Sequence, residues 1–140
     1  IELFPAGRRK EYVGDRMRLT DLRPVLWTED LPSTVDFYTG VLGFECSDRN
    51  DDWGWATLRK DSVSLMIANP NEHTPYEKIG FTGSLYFTTD NVDVLWEKLK
   101  DKAKVCYGIE DFFYGMREFA VYDNNGYLLQ FGQQIESAAD

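Results

Sequence analysis

YGMREFAVYDNNGYLLQFGQ, residues 114–133, reads as two strands around a tight turn. MREFAVY (116–122) and YLLQFG (127–132) are strand-like runs, and Asn125-Gly126 between them is a strong hairpin signal. Arg117 and Glu118 are adjacent in the first run, so they point to opposite faces of one strand. At least one must meet the interior or a partner chain, and a buried charge there needs a counter-ion.

Working outward, AKVCY (103–107) is a strand and GIEDFFYG (108–115) reads as a loop. Asp90 opens a helix with Val92, Leu95, Trp96 and Leu99 on one stripe. GSLYFTTD (83–90) echoes RPVLWTED (23–30). In the first half, LRPVLWT (22–28) alternates, with Arg23, Val25 and Trp27 on one face. Asp30 and Pro32 open a helix carrying Val35, Tyr38 and Leu42, ended by Gly40 and Gly43. FECSD (44–48), WGWATLR (53–59) and SVSLMIA (62–68) are strands, with Asp61 in a short turn, and NPNEHTPYEKIG (69–80) is a loop. The halves align at an offset of 60, pairing Arg23 with Gly83, Trp27 with Phe87, Asp30 with Asp90 and Cys46 with Cys106. The expectation is an α+β fold: two tandem β-α-β-β-β modules, about 20–69 and 82–134, with their sheets around a cleft.

The chain has 140 residues, a single-domain length, and 43% are hydrophobic. Its net charge of −9 offers no basic footprint for nucleic acid and would favour a cationic ligand. No apolar run reaches membrane-span length and no signal-peptide pattern opens the chain, so it reads as soluble and cytoplasmic. Residues 1–16, with Arg8, Arg9, Lys10, Pro5 and no periodicity, read as an irregular leader, an upstream extension or an added sequence. The domain is then 17–140. Cys46 and Cys106 read as buried free thiols in strand-like runs. Trp27, Phe87 and Trp96 fit strand or helix periodicity and read as core.

The paired modules, the start LRPVLWTEDLPSTVDFYTGVLGF and the ending YGMREFAVYDNNGYLLQFGQ resemble the vicinal oxygen chelate (glyoxalase/bleomycin resistance/dioxygenase) superfamily over residues 19–134. Among its groups the ending looks most like the bleomycin resistance proteins, whose matching segment runs Trp-Gly-(Met)-Arg-Glu-Phe. The resemblance implies a curved mixed sheet around a cleft, and usually a homodimer with a groove across the subunit boundary. Metal-dependent members take one ligand from each of four strand positions, which here are Arg23, Ser64, Gly83 and Gln130. None is an anionic or imidazole donor, and Arg23 would repel a cation. The expectation is therefore no metal and no cofactor, with Gln130 hydrogen-bonded to Arg23 or to ligand. The single histidine, His73, reads as a solvated loop residue.

With one loop histidine, no nucleophile–base pair is in view. By the resemblance, the ligand-facing residues are aromatic: Trp53 and Trp55 on one side, Phe113 and Tyr114 on the other. Arg23, Gln130 and Asp52 complete the candidate set, and Asp48, Asp51, Glu110 and Asp111 add negative charge nearby. The position matching Tyr114 usually carries a Trp that stacks on a planar drug; a Tyr offers less area. These residues fit a metal-free protein that sequesters a small planar, cationic antibiotic of the bleomycin type. The alternatives are an enzyme of the same fold (lyase, isomerase or dioxygenase), which would need a metal, and a binder of another planar metabolite.

Overall fold

A computed structural model describes residues 17–73 and 77–136. The assignment of 1–16 as a leader lies outside the described residues. The first module runs β1 (Val25–Trp27), α1 (Leu31–Asp36), a π-helical turn (Phe37–Val41), β2 (Glu45–Asn50), β3 (Trp55–Lys60) and β4 (Val63–Ala68). The second runs β5 (Leu85–Thr88), α2 (Val92–Leu99), β6 (Lys104–Asp111), β7 (Met116–Tyr122) and β8 (Leu128–Gln134). The sheets are ordered β1-β4-β3-β2 and β5-β8-β7-β6. In each, the first strand pairs in parallel with the last and the other pairings are antiparallel. The same unit is built twice, as the duplication implies. No helix among the described residues is long and apolar enough to cross a membrane.

Several boundaries differ from the sequence reading, each for a physical reason. Residues 108–111, expected in a loop, extend β6 to Asp111. The ladder to β7 shifts register between Val105 and Tyr107 and again between Tyr107 and Glu110. Bulges absorb the extra residues without ending the strand. Gly40 does not end the first helix; it sits inside the π-helical turn, and Gly43, at φ +79°, ends it. The second helix is capped by Asn91, whose side chain accepts from Val94 N at 3.3 Å. Asp90, expected as its opener, instead offers its carbonyl to Gln133 Nε2 at 2.8 Å. Cys106 is exposed and Cys46 half-buried, so neither thiol is buried.

Alternation sorts each sheet into two faces. Leu58, Leu65 and Ile67 of the first sheet and Phe119, Val121, Leu129 and Phe131 of the second enter one continuous core with Leu26, Val35, Tyr38, Phe44, Val92 and Leu99. Phe87 links the modules, edge-on to Phe44 at 6.3 Å and stacked on Phe131 at 5.1 Å. Phe87 and Trp96 pack against this core as expected; Trp27 is half-buried on β1.

The Asp123–Gly126 turn does more than close a hairpin. It docks into α1. Tyr38, wholly buried, donates its hydroxyl to Asp123 Oδ2 at 2.8 Å. Asp123 Oδ1 accepts from the backbone of Asn125 at 2.8 Å and of Tyr127 at 2.9 Å. Asn125 Nδ2 donates to Thr34 Oγ1 at 3.0 Å, and the Tyr127 hydroxyl donates to the Trp27 carbonyl at 2.8 Å. Polar side chains with fully committed partners thus hold the modules in one orientation.

Candidate functional site

The α2 side of the second sheet is apolar, with Trp96 against Phe119 at 5.2 Å. The opposite face is open and carries Ser84, just before β5, Tyr86 of β5, Gln130 and Gly132 of β8, Glu118 and Ala120 of β7, and Tyr107 of β6. Register brings them together: Tyr86 pairs with Gln130, Glu118 with Gly132, and Tyr107 with Ala120.

Glu118 lies at the centre, 1% exposed. Its partners are phenols. Tyr86 donates to Oε1 at 2.9 Å and Tyr107 donates to Oε2, and Tyr114 is near enough to feel the carboxylate, which after loss of solvation helps push its pKa up to about 12. Gln130 Nε2 donates to the Tyr107 oxygen at 2.9 Å, and Ser84 donates to Gln130 Oε1. Arg117 turns to the other face, with Asp93 and Asp111 each at 2.9 Å. The expected split of Arg117 and Glu118 is therefore realised, but phenolic donors surround the buried carboxylate where a counter-ion was anticipated. Hydrogen-bond donors offset part of the cost of burying a carboxylate.

The tyrosines feel the converse. Loss of solvation, then the Glu118 carboxylate, push Tyr86 up to about 12. The same causes carry Tyr107 beyond the ordinary tyrosine range, against a smaller downward pull from Gln130. Both therefore keep their protons throughout the physiological range. In spectra of 13C-tyrosine-labelled protein, the Tyr86 and Tyr107 ring carbons are expected to titrate well above the ordinary value of about 10. In Glu118→Gln both midpoints are expected to fall. Titration near 10 in the parent protein would contradict the arrangement.

Gly132 makes this packing possible. A Cβ there would stand 1.9 Å from the Tyr86 hydroxyl and 2.7 Å from its Cζ. Tyr86 thus lies directly across β8 where no side chain stands. Beside it, Phe112 and Tyr114 stack at 5.4 Å with 3° between planes, and Phe113 meets Tyr114 edge-on at 5.2 Å.

The sequence-derived candidates fall into two groups. Tyr114 and Gln130 join the Glu118 cluster, and Phe113 sits at its rim, 99% exposed. Trp53, Trp55 and Asp52 belong to the first sheet. Trp53 is exposed on the β2–β3 turn, its backbone donating to Asn50 Oδ1 at 2.9 Å. Trp55 opens β3 opposite Ala68, and Asp52 lies exposed in the same turn as Trp53. Arg23 is exposed, 3.9 Å from Asp21, and does not meet Gln130, whose amide is engaged by Ser84 and Tyr107. Glu118, Tyr86 and Tyr107 were missed as site residues. The signal for Glu118 was its forced inward position; nothing local to Tyr86 or Tyr107 announces their convergence.

The four metal positions do not fit a divalent ion. Arg23 is a cation, Gly83 has no side chain, and both amide atoms of Gln130 are occupied. Ser64 offers one hydroxyl, buried without a hydrogen-bond partner. Among the described residues no group of three or more His, Cys, Asp or Glu side chains could hold a metal. His73 is solvated as expected, with Glu72 at 3.8 Å.

A separate cavity of about 310 Å³ opens between the modules. Leu42, Phe44, Phe87, Leu95 and Phe131 form its floor and Lys60, Asp61 and Asp90 its rim. None of the sequence-derived candidates lines it.

No curated protein matches the chain significantly. Solved structures of the same architecture do. A glyoxalase/bleomycin resistance protein/dioxygenase from Nocardioides is 19% identical over 94% of each chain, with a TM-score of 0.71. TioX from Micromonospora sp. ML1 is 21% identical over 82% of this chain and 100% of that one, TM-score 0.64. Lactoylglutathione lyase from Agrobacterium tumefaciens is 16% identical over 84% and 96%, TM-score 0.63. At such identities these likenesses establish the fold alone. The family model described as "Glyoxalase/Bleomycin resistance protein/Dioxygenase superfamily" matches residues 22–131. With the duplicated module, the paired sheets and this match over most of its length, the chain belongs to that superfamily.

Proposed function

We propose that the chain is a metal-free small-molecule-binding protein of the bleomycin-resistance type. It sequesters a planar, cationic antibiotic on the open faces of its sheets, in the cytoplasm and as a homodimer. The observation that carries this reading is the site itself. Where metal-dependent relatives need four donors, this chain has Arg23, Ser64, Gly83 and Gln130. The face around Gln130 is lined by aromatic rings over a buried carboxylate. Stacking surface and negative charge suit a flat cation and require no chemistry. Val25 and Tyr86, 44% and 43% exposed on open sheet faces, support a second copy as the cover. An enzymatic reading would need a donor set that these positions lack.

The test is a calorimetric titration of metal-free and copper-loaded bleomycin into the protein, alongside Tyr114→Ala. Saturable heat, weakened by salt and about tenfold weaker in the variant, is the expected result. Addition of Zn2+ or Mn2+ is expected to leave the melting temperature unchanged. No heat at drug concentrations far above any useful affinity would remove bleomycin as the ligand. Saturable stabilisation by a metal, lost on mutating Gln130, would remove the metal-free reading.

A further inference from the structure

We propose that Glu118 and the three tyrosines around it form a recognition site for hydrogen-bond-donating organic cations: an amidinium, a guanidinium or a protonated amine. The inference rests on the reading above, that the open face of the second sheet is the binding surface, and names the ligand group that this face selects.

The argument turns on where the protons point. A tyrosine hydroxyl has one proton and acceptor lone pairs. Tyr86 and Tyr107 direct theirs at the two oxygens of Glu118, and Tyr114 stands beside them, stacked on Phe112. Gln130 reinforces this direction. By donating to the Tyr107 oxygen it obliges Tyr107 to donate onward to Glu118, and its own oxygen is taken by Ser84. The relay therefore runs one way, toward the carboxylate. What the phenols can show a ligand is lone pairs and ring faces. An anion finds no free donor on the two phenols bound to Glu118, whereas an N–H cation finds acceptors there.

The charge behind them adds to this. Among the described residues the buried Glu118 has no salt-bridge partner, since Arg117 serves Asp93 and Asp111 on the far face. Lys104 lies over Tyr122, at the other end of β7 from the tyrosine cluster. A carboxylate in poorly solvated surroundings acts on nearby charge more strongly than one in water. The stacked pair Phe112–Tyr114 supplies a wall that favours flat cations. Glu118 is covered by the tyrosines, so it acts through their oxygens as a specificity-determining residue.

Four probes of one shape separate the possibilities: benzamidine, benzamide, benzoate and phenyltrimethylammonium, each titrated into the full chain and followed by amide chemical shifts. Benzamidine is expected to saturate with shifts at Tyr86, Tyr107 and Tyr114. Benzamide, uncharged, is expected to bind about tenfold more weakly, phenyltrimethylammonium to fall between, and benzoate not to bind. In Glu118→Gln the side-chain amide can donate to one phenol, releasing that phenol's proton outward. The preference for benzamidine over benzoate is then expected to vanish or invert, whereas loss of a merely structural residue would weaken the three binding probes alike. Tyr86→Phe, at the exposed edge, keeps the test available if Glu118→Gln does not fold. It is expected to weaken benzamidine about fivefold and benzamide distinctly less. Equal affinity of benzamidine and benzamide, or a discrimination that survives Glu118→Gln, would overturn the inference while leaving a binding face. No shift on that face with any probe or with bleomycin would overturn both.

Discussion

Asp123→Ala is expected to destabilise the chain by about 4 kcal/mol, the largest effect of any single truncation at the module junction. Three donors lose their acceptor together: the Tyr38 hydroxyl and the backbone N–H groups of Asn125 and Tyr127. Tyr38 is wholly buried and Asp123 only 6% exposed, so water cannot easily replace the carboxylate. Each stranded donor costs about 1–3 kcal/mol. Urea unfolding measures the loss, and a cost below about 1 kcal/mol would show that the turn is not what holds the modules together.

The same residue makes a pH-dependent prediction. Burial raises the Asp123 pKa above its ordinary value, and the hydrogen bonds from Tyr38 and the backbone only partly offset that rise. The folded state therefore binds this proton more tightly than the unfolded chain does. The stability it contributes is fully present below the unfolded value and is lost as pH rises through the folded one. Asp123→Asn cannot titrate at this site. The stability of the parent relative to Asp123→Asn is thus expected to fall as pH rises from below the ordinary aspartate value through the raised folded one. A difference that grows over that range would contradict the sign.

The fold was legible in the sequence because its determinants are local and repeated. MREFAVY defined β7 to the residue, and Asn125-Gly126 placed the turn. The recurrence of RPVLWTED as GSLYFTTD announced a second copy of one module. What was not legible depended on partners distant in the chain. Glu118 could be forced inward by its neighbour Arg117, but its environment comes from Tyr86, 32 residues away, and Tyr107, 11 away across a bulged ladder. The two register shifts decide which side chains of β6 share the face with Glu118, and no local pattern encodes them. Gln130 was marked as a site position, yet its partners, Ser84 and Tyr107, follow from strand order. The aromatic candidates were split for the same reason. Trp53 and Phe113 occupy corresponding places in the duplicated module, and so lie on turns of different sheets.

Gly132→Ala is expected to dismantle the Glu118 cluster while leaving the sheet in place. The added Cβ would stand 1.9 Å from the Tyr86 hydroxyl, closer than any real contact, and 3.1 Å from its Cε1. Tyr86 sits on β5, paired in parallel with β8, and its ring cannot stay across the strand. It must swing out, and its bond to Glu118 breaks. The backbone has no reason to move, because the Gly132 carbonyl still accepts from Thr89 N at 2.9 Å. Three readouts then move together. The Tyr86 pKa returns from about 12 toward its ordinary value. Binding on this face weakens about tenfold or more as the acceptor surface is lost. Stability falls by about 1–3 kcal/mol, from the missing donor to a buried carboxylate and from the crowding itself. A double-mutant cycle isolates the cause. In a Tyr86→Ala background there is no ring to displace, so Gly132→Ala is expected to cost much less than in the parent. If it costs the same in both, the clash with Tyr86 is not why glycine stands at 132.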